Sequence, residues 1–164
     1  MDRDFRVGIG SDLHKLGPGT HLMVGGVSIP HSKSAIGHSD ADVLIHSLID
    51  ALLGAACLGD IGRLFPDSDP KYSDVESATL LGETMKLISN ARWNLVNIDA
   101  TLKLEQPKIE SYNHLIRESL ATITKIDINH ISIKAKTGEG IGEIGLGNAI
   151  GCDCAVFLSR DPVT

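Results

Sequence analysis

Apolar and polar positions alternate clearly in the second half of the chain. Val96, Ile98, Ala100, Leu102 and Leu104 interleave with Asn97, Asp99, Thr101 and Lys103, the period-two signature of a half-buried strand. Phe5–Gly10, His130–Ala135 and Ala149–Leu158 read as three further strands. Leu22-Met23-Val24 and Val27-Ser28-Ile29, joined by Gly25-Gly26, read as a hairpin with a two-residue turn. Helical spacing appears in Ile109, Tyr112, Leu115, Ile116, Leu120 and Ile123, and in a second helix opened by Ser73 and Glu76 that runs to about Asn90. The most apolar helix spans about Ser39 to Cys57, with Ser39 and Asp42 at capping-box spacing. Pro30–Gly37 and Leu58–Pro70 read as loops, the second long enough to carry function. Without repeats or a linker, this predicts a single α/β (α+β) domain over 1–164. The expected architecture is a mixed four-stranded sheet covered by helices on one face, plus a small hairpin.

That central helix carries an anomaly. Asp42, His46 and Asp50 recur every four residues on an otherwise apolar surface. Ionisable groups on a buried helix cost free energy unless paired or ligating a metal. Two readings stand at this point: a helix edge with a satisfied histidine, or part of a site. A second pair, Asp12 and His14, follows the first strand, and residues two apart in extended chain point the same way. Asp12, His14 and His46 form a two-histidine, one-carboxylate set, the pattern of a catalytic zinc with an open fourth position. Asp50, one turn beyond His46, is placed to orient a ligand's second ring nitrogen. His38 and Ser39 sit where a helix N-terminus favours phosphate.

Composition narrows the class. The 164 residues carry a net charge of -6 and are only 4% aromatic, which argues against a nucleic-acid partner. No apolar run reaches membrane-spanning length, and Met1-Asp2-Arg3-Asp4 begins no signal peptide, so a cytoplasmic location is expected. Cys152 and Cys154 share one face of a strand and, with Cys57, read as reduced thiols rather than a zinc knuckle. Gly140-Ile-Gly142-Glu-Ile-Gly145 fits a dinucleotide-binding pattern, but a strand rather than an amphipathic helix follows it. The glycines therefore read as a flexible or tightly turning loop.

Several spaced motifs extend the picture: Asp12-Leu-His14, Gly25-Gly-Val-x-Ile-Pro30, His38-Ser-Asp-x-Asp-Val43 with His46, Asp50-Ala-Leu-Leu-Gly-Ala55, Leu58-Gly-Asp-Ile-Gly62, Leu64-Phe-Pro-Asp67 with Asp69, Pro107-Lys108, and Lys134-Ala-x-Thr137 with Glu139. In this order and over nearly the whole chain, they resemble the 2-C-methyl-D-erythritol 2,4-cyclodiphosphate synthases of non-mevalonate isoprenoid biosynthesis. The resemblance implies a homotrimer with sheets facing the threefold axis and active sites between neighbouring subunits. It implies a phosphorus–oxygen lyase that cyclises 4-diphosphocytidyl-2-C-methyl-D-erythritol 2-phosphate and releases CMP.

By motif position, Asp12, His14 and His46 would hold one zinc per subunit, and Glu139 would hold magnesium or manganese with the substrate phosphates. His38 and Ser39 would contact phosphate. Asp60, Ile61, Gly62, Phe65 and Asp69 would hold the methylerythritol part. Leu104, Gln106, Lys108, Ala135 and Lys136 would enclose the cytidine diphosphate, with Thr137 polarising the attacked phosphate. Some relatives take up isoprenoid diphosphates at the trimer axis through an arginine that falls here at Leu146, with an aromatic at Glu143. Weak or no binding there is expected of this chain. A zinc-dependent phosphohydrolase and a non-catalytic metal- or isoprenoid-binding protein are the alternatives.

Overall fold

A computed structural model describes residues 3–37, 39–66, 68–72 and 75–161. The chain runs β1 (Asp4–Pro18), β2 (His21–Val24), β3 (Val27–Pro30), β4 (Lys33–Ile36), α1 (Val43–Ala55), α2 (Ile61–Leu64) and α3 (Ser77–Asn90). It continues through β5 (Asn94–Lys103), α4 (Asn113–Thr124), β6 (Ile131–Lys136), α5 (Gly142–Gly145) and β7 (Ala149–Arg160). Strands β2 and β3 form the expected hairpin, with Gly25 and Gly26 at φ +60° and +77°. Both values suit the turn that joins two right-twisted strands.

The main sheet has five strands, not four, in the order β4-β1-β7-β5-β6. Only β5 and β6 pair in parallel. The fifth strand is β4, in a segment expected to be loop. Lys33-Ser34-Ala35-Ile36 carries no alternation, and its extended form comes from pairing with Lys15–Pro18. Strand β1 runs eight residues beyond Gly10 for the same reason, because β7 holds its polar second half through Lys15. Asp12 and His14 therefore lie inside a strand, not on a loop after one.

Helix α1 packs on β1 and β7, and ten of its thirteen residues are buried. Two glycines set how close it comes. A Cβ on Gly8 would lie 1.9 Å from the Ala51 carbonyl oxygen, and one on Gly10 would lie 1.9 Å from that of Ser47. Glycine in a strand interior is weak by propensity but permits this backbone approach. The contact sets His46 beside Asp12 and His14.

The helix begins at Val43, and Asp42 is its cap, which corrects the Ser39–Asp42 box. Asp42 is fully buried and accepts from Ile45 N at 3.0 Å, Gly25 N at 2.9 Å and Gly26 N at 2.7 Å. It thus ties the hairpin turn to the helix start and does not share the aspect of His46. In α3 the cap position falls to Glu76, which makes no side-chain cap bond; Ser73 lies outside the described residues.

One face of the sheet carries the helices, and on it burial pushes the Cys152 thiol up to about 12. All three cysteines are free. The opposite face is bare. Val7 and Ile9 are 67% and 75% exposed there, Phe5 stacks on Phe157 at 5.4 Å, and Lys103–Asp153 and Lys134–Asp99 form ion pairs.

Candidate active site

Strands β1, β5 and β6 point the same way, and the candidate residues gather at their C-terminal end. His14 faces Ile150 across β7, level with the ends of β5 and β6. At β1, three donor atoms converge. Asp12 Oδ2 lies 2.9 Å from His14 Nε2 and 3.1 Å from His46 Nδ1, and the two ring nitrogens are 3.3 Å apart. A tetrahedral zinc with bonds of about 2.0–2.1 Å needs ligand atoms roughly 3.3–3.4 Å apart, so this triangle needs only a slight opening. Asp12 Oδ1 accepts from Leu13 N at 2.9 Å, which leaves Oδ2 for the cluster.

Electrostatics support the donor set. Burial pushes the Asp12 carboxyl upward, but its bonds to His14 and His46 outweigh that and hold it well below the usual carboxylate range. The bond to Asp12 raises His14 despite the opposing effect of burial, and the Ile36 backbone adds to it. In the absence of a cation, protons supply the positive charge that this carboxylate attracts. Asp12, His14 and His46 fit a divalent metal with an open position.

The expected orienting role of Asp50 is corrected. Its carboxylate accepts from Ile61 N at 2.7 Å and so fixes the start of α2. Burial raises its pKa, partly offset by that bond. The second nitrogen of His46, Nε2, instead meets Ser77 Oγ at 2.9 Å. Ser77 and its partner Asp40 were missed in the sequence. Asp40 lay inside a quoted motif, but nothing marked a serine 31 residues beyond His46 as its neighbour.

A cavity of about 310 Å³ opens beside the triangle. His14, Ser39, His46, Ile61, Gly62 and Phe65 line it, with Gly37, Tyr72 and Leu80. Phe65 is buried edge-on against Tyr72 at 5.3 Å. Asp60 caps α2 by accepting from Arg63 N at 2.8 Å, and Asp69 accepts from Lys71 N at 3.0 Å. His38 lies outside the described residues.

The remaining predicted residues form a second cluster at the β5–β6 edge. Leu104 N donates to Lys136 O at 3.0 Å, and Gly138 N donates to Glu105 Oε2 at 3.1 Å. Thr137 Oγ1 bonds Glu139, which sits at φ +51°. Gln106, Lys108, Ala135, Lys136 and Glu139 are exposed, whereas the Leu104 side chain is core. The glycine loop resolves to the tightly turning alternative, since a Cβ on Gly138 would lie 2.4 Å from Gly145 N. Leu146 and Glu143 are exposed on it. Three strand steps, about 14 Å, separate β6 from β1, and the loop after β6 returns to the β1 side, where Leu16 N donates to Asn148 O at 2.7 Å.

The YgbB family profile matches residues 5–159. The chain belongs to the YgbB family. It is 50% identical over 154 residues to the 2-C-methyl-D-erythritol 2,4-cyclodiphosphate synthase of Treponema denticola, covering 93% of this chain and 96% of that one. The structure of the Plasmodium falciparum IspF CDP complex superposes with a TM-score of 0.85 at 34% identity, over 96% of this chain and 97% of that one. The bifunctional IspDF of Campylobacter jejuni superposes at 0.93 with 34% identity; 98% of this chain spans 43% of that longer protein. No helix among the described residues is long and apolar enough to cross a membrane.

Proposed function

We propose that this chain converts 4-diphosphocytidyl-2-C-methyl-D-erythritol 2-phosphate to 2-C-methyl-D-erythritol 2,4-cyclodiphosphate and CMP. The observation that carries the reading is the Asp12–His14–His46 triangle beside a cavity, in a chain half identical to a synthase of that name. An oxygen of the 2-phosphate attacks the cytidine-distal phosphorus. The bond from that phosphorus to the bridging oxygen breaks, and CMP leaves with the electron pair. The substrate supplies its own nucleophile, so the protein's task is placement and charge.

Each residue then has a part. Asp12, His14 and His46 hold zinc, which when bound draws charge from the attacked phosphate. Ser39 holds phosphate at the cavity, a part the family motif gives to His38 as well, and the α2 segment with Phe65 and Asp69 encloses the methylerythritol carbons. Glu139 holds magnesium or manganese against the diphosphate, and Thr137 orients the phosphoryl oxygen. Gln106, Lys108, Ala135, Lys136 and the backbone of Leu104 receive the nucleotide; the Plasmodium relative was solved as a CDP complex. Asp12, His14 and His46 lie on β1 and α1, whereas Glu139 lies on the loop after β6. Neighbouring subunits of a homotrimer bring them together, with the bare sheet faces turned to the threefold axis. Exposed Val7, Ile9 and Leu13 support that burial. The enzyme works in the cytoplasm.

Incubation with the cytidylyl substrate and phosphorus NMR tests the reading. Equal amounts of cyclic diphosphate and CMP are expected. A linear hydrolysed product would make the chain a phosphohydrolase, and unchanged substrate would leave a metal-binding protein.

A further inference from the structure

Asp40 and Ser77 are joined to His46 by a short chain of hydrogen bonds. Ser77 is fully buried at the first turn of α3. Its hydroxyl donates to Asp40 Oδ1, and its backbone N donates to Asp40 Oδ2 at 3.2 Å. Asp40 sits between Ser39 at φ +56° and Ala41 at φ +51°, a backbone that non-glycine residues adopt at a cost and that recurs at functional sites. This turn holds the Asp40 carboxylate against the hydroxyl and backbone N of Ser77.

The direction of these bonds determines the state of the imidazole. An ionised carboxylate only accepts, so the Ser77 proton is committed to Asp40. Ser77 Oγ then offers His46 Nε2, 2.9 Å away, nothing but lone pairs. The Ser39 hydroxyl is farther, at 3.4 Å, so the closer Ser77 acceptor places the ring proton on Nε2, and in a neutral imidazole the lone pair falls on Nδ1. Nδ1 is the atom facing Asp12 Oδ2 and His14 Nε2. We infer that Asp40 and Ser77 are positioning residues that hold His46 as the Nε2–H tautomer with its Nδ1 lone pair aimed at the metal position. This rests on the metal reading above. It also gives α3, which supplies no ligand, a direct hold on the metal centre.

Zinc affinity of the metal-free protein, measured by chelator competition at neutral pH, tests the inference. Ser77→Ala removes the acceptor and is expected to weaken zinc binding about 10- to 100-fold, the usual cost of losing such a partner. Ser77→Thr keeps the hydroxyl and is expected to stay within about threefold of wild type, while Asp40→Asn falls between the two. Imidazole nitrogen NMR of the zinc-loaded protein should show a protected Nε2 proton and a metal-shifted Nδ1 on His46 in wild type, and an Nε2 proton that exchanges faster in Ser77→Ala. At saturating zinc the turnover of Ser77→Ala should largely return, which separates positioning from direct catalysis.

Wild-type zinc affinity in folded Ser77→Ala overturns the proposal. Should Ser77→Ala fail to fold, wild-type affinity in Asp40→Asn overturns it instead. Undiminished zinc in His46→Ala would sink the metal reading itself, a result that Ser77 variants cannot imitate.

Discussion

The two clusters at the C-terminal end of the sheet are built on opposite principles. At β1 and α1, Asp12, His14 and His46 touch one another, are partly buried, and are backed by Ser77 and Asp40. At the β5–β6 edge, Thr137 and Glu139 stand on a tight loop with Gln106, Lys108 and Lys136 exposed around them. The first is assembled within one chain because its partly buried groups have one another, Ser77 and Asp40 as partners. The second has solvent as its partner until something docks. A preorganised candidate cation site and an exposed edge proposed to receive the nucleotide therefore differ in what mutation should do to each.

The largest effect expected is from His46→Ala. It should abolish zinc binding and cut activity by ~10³-fold, about 4 kcal/mol of barrier, while sedimentation still reports a trimer. Zinc retained in full would remove His46 from the triangle. Glu139→Gln should break the other half differently, keeping zinc but sharply raising the magnesium or manganese needed for half-maximal rate. An unchanged metal titration would remove Glu139 from the site.

Mixing those two variants at a magnesium concentration too low for Glu139→Gln to turn over tests whether the clusters belong to different subunits. In randomly mixed trimers about a quarter of the interfaces pair an intact triangle with an intact Glu139, so about a quarter of wild-type activity should return. No recovery in verified mixed trimers would place both halves in one chain. A smaller change is expected from Lys108→Ala: a Michaelis constant raised about tenfold with turnover little altered, since lysine acts on phosphates as a point charge. A wild-type constant would leave Lys108 a solvated surface residue.

The mildest lever is pH. His14 has a raised pKa in the metal-free protein, so the stability it contributes is present below the ordinary histidine value and fades as pH rises through its folded value. Zinc must displace that proton, so its affinity should rise with pH until His14 is neutral and then level off. Asp12 has the opposite sign. Its contribution is present above the ordinary carboxylate pKa and is lost in acid as pH falls towards its depressed value. A zinc affinity flat across the histidine range would contradict the coupling of Asp12 to His14.

Local chemistry settled a good deal of this molecule. Period-two alternation marked β5, and Gly25-Gly26 marked the hairpin, because both depend on neighbours in the chain. Asp12 and His14 were legible as a pair, since two residues apart in a strand face one way whatever surrounds them. The anomaly of charged positions on an apolar helix singled out His46 for the same local reason.

What only the tertiary structure decided lies in contacts distant along the chain. Strand β4 exists because the far half of β1 pairs with it, and Lys33–Ile36 has no pattern of its own. Asp42 caps α1 and leaves Ser39 outside it because two hairpin amides, 17 and 16 residues back, claim the same carboxylate. Gly8 and Gly10 bring α1 onto β1, a steric permission that periodicity cannot express. Ser77 took the place expected of Asp50 for the same reason. Helical spacing places a side chain on a face, but which of two polar groups meets a ring nitrogen is fixed by where α2 and α3 dock.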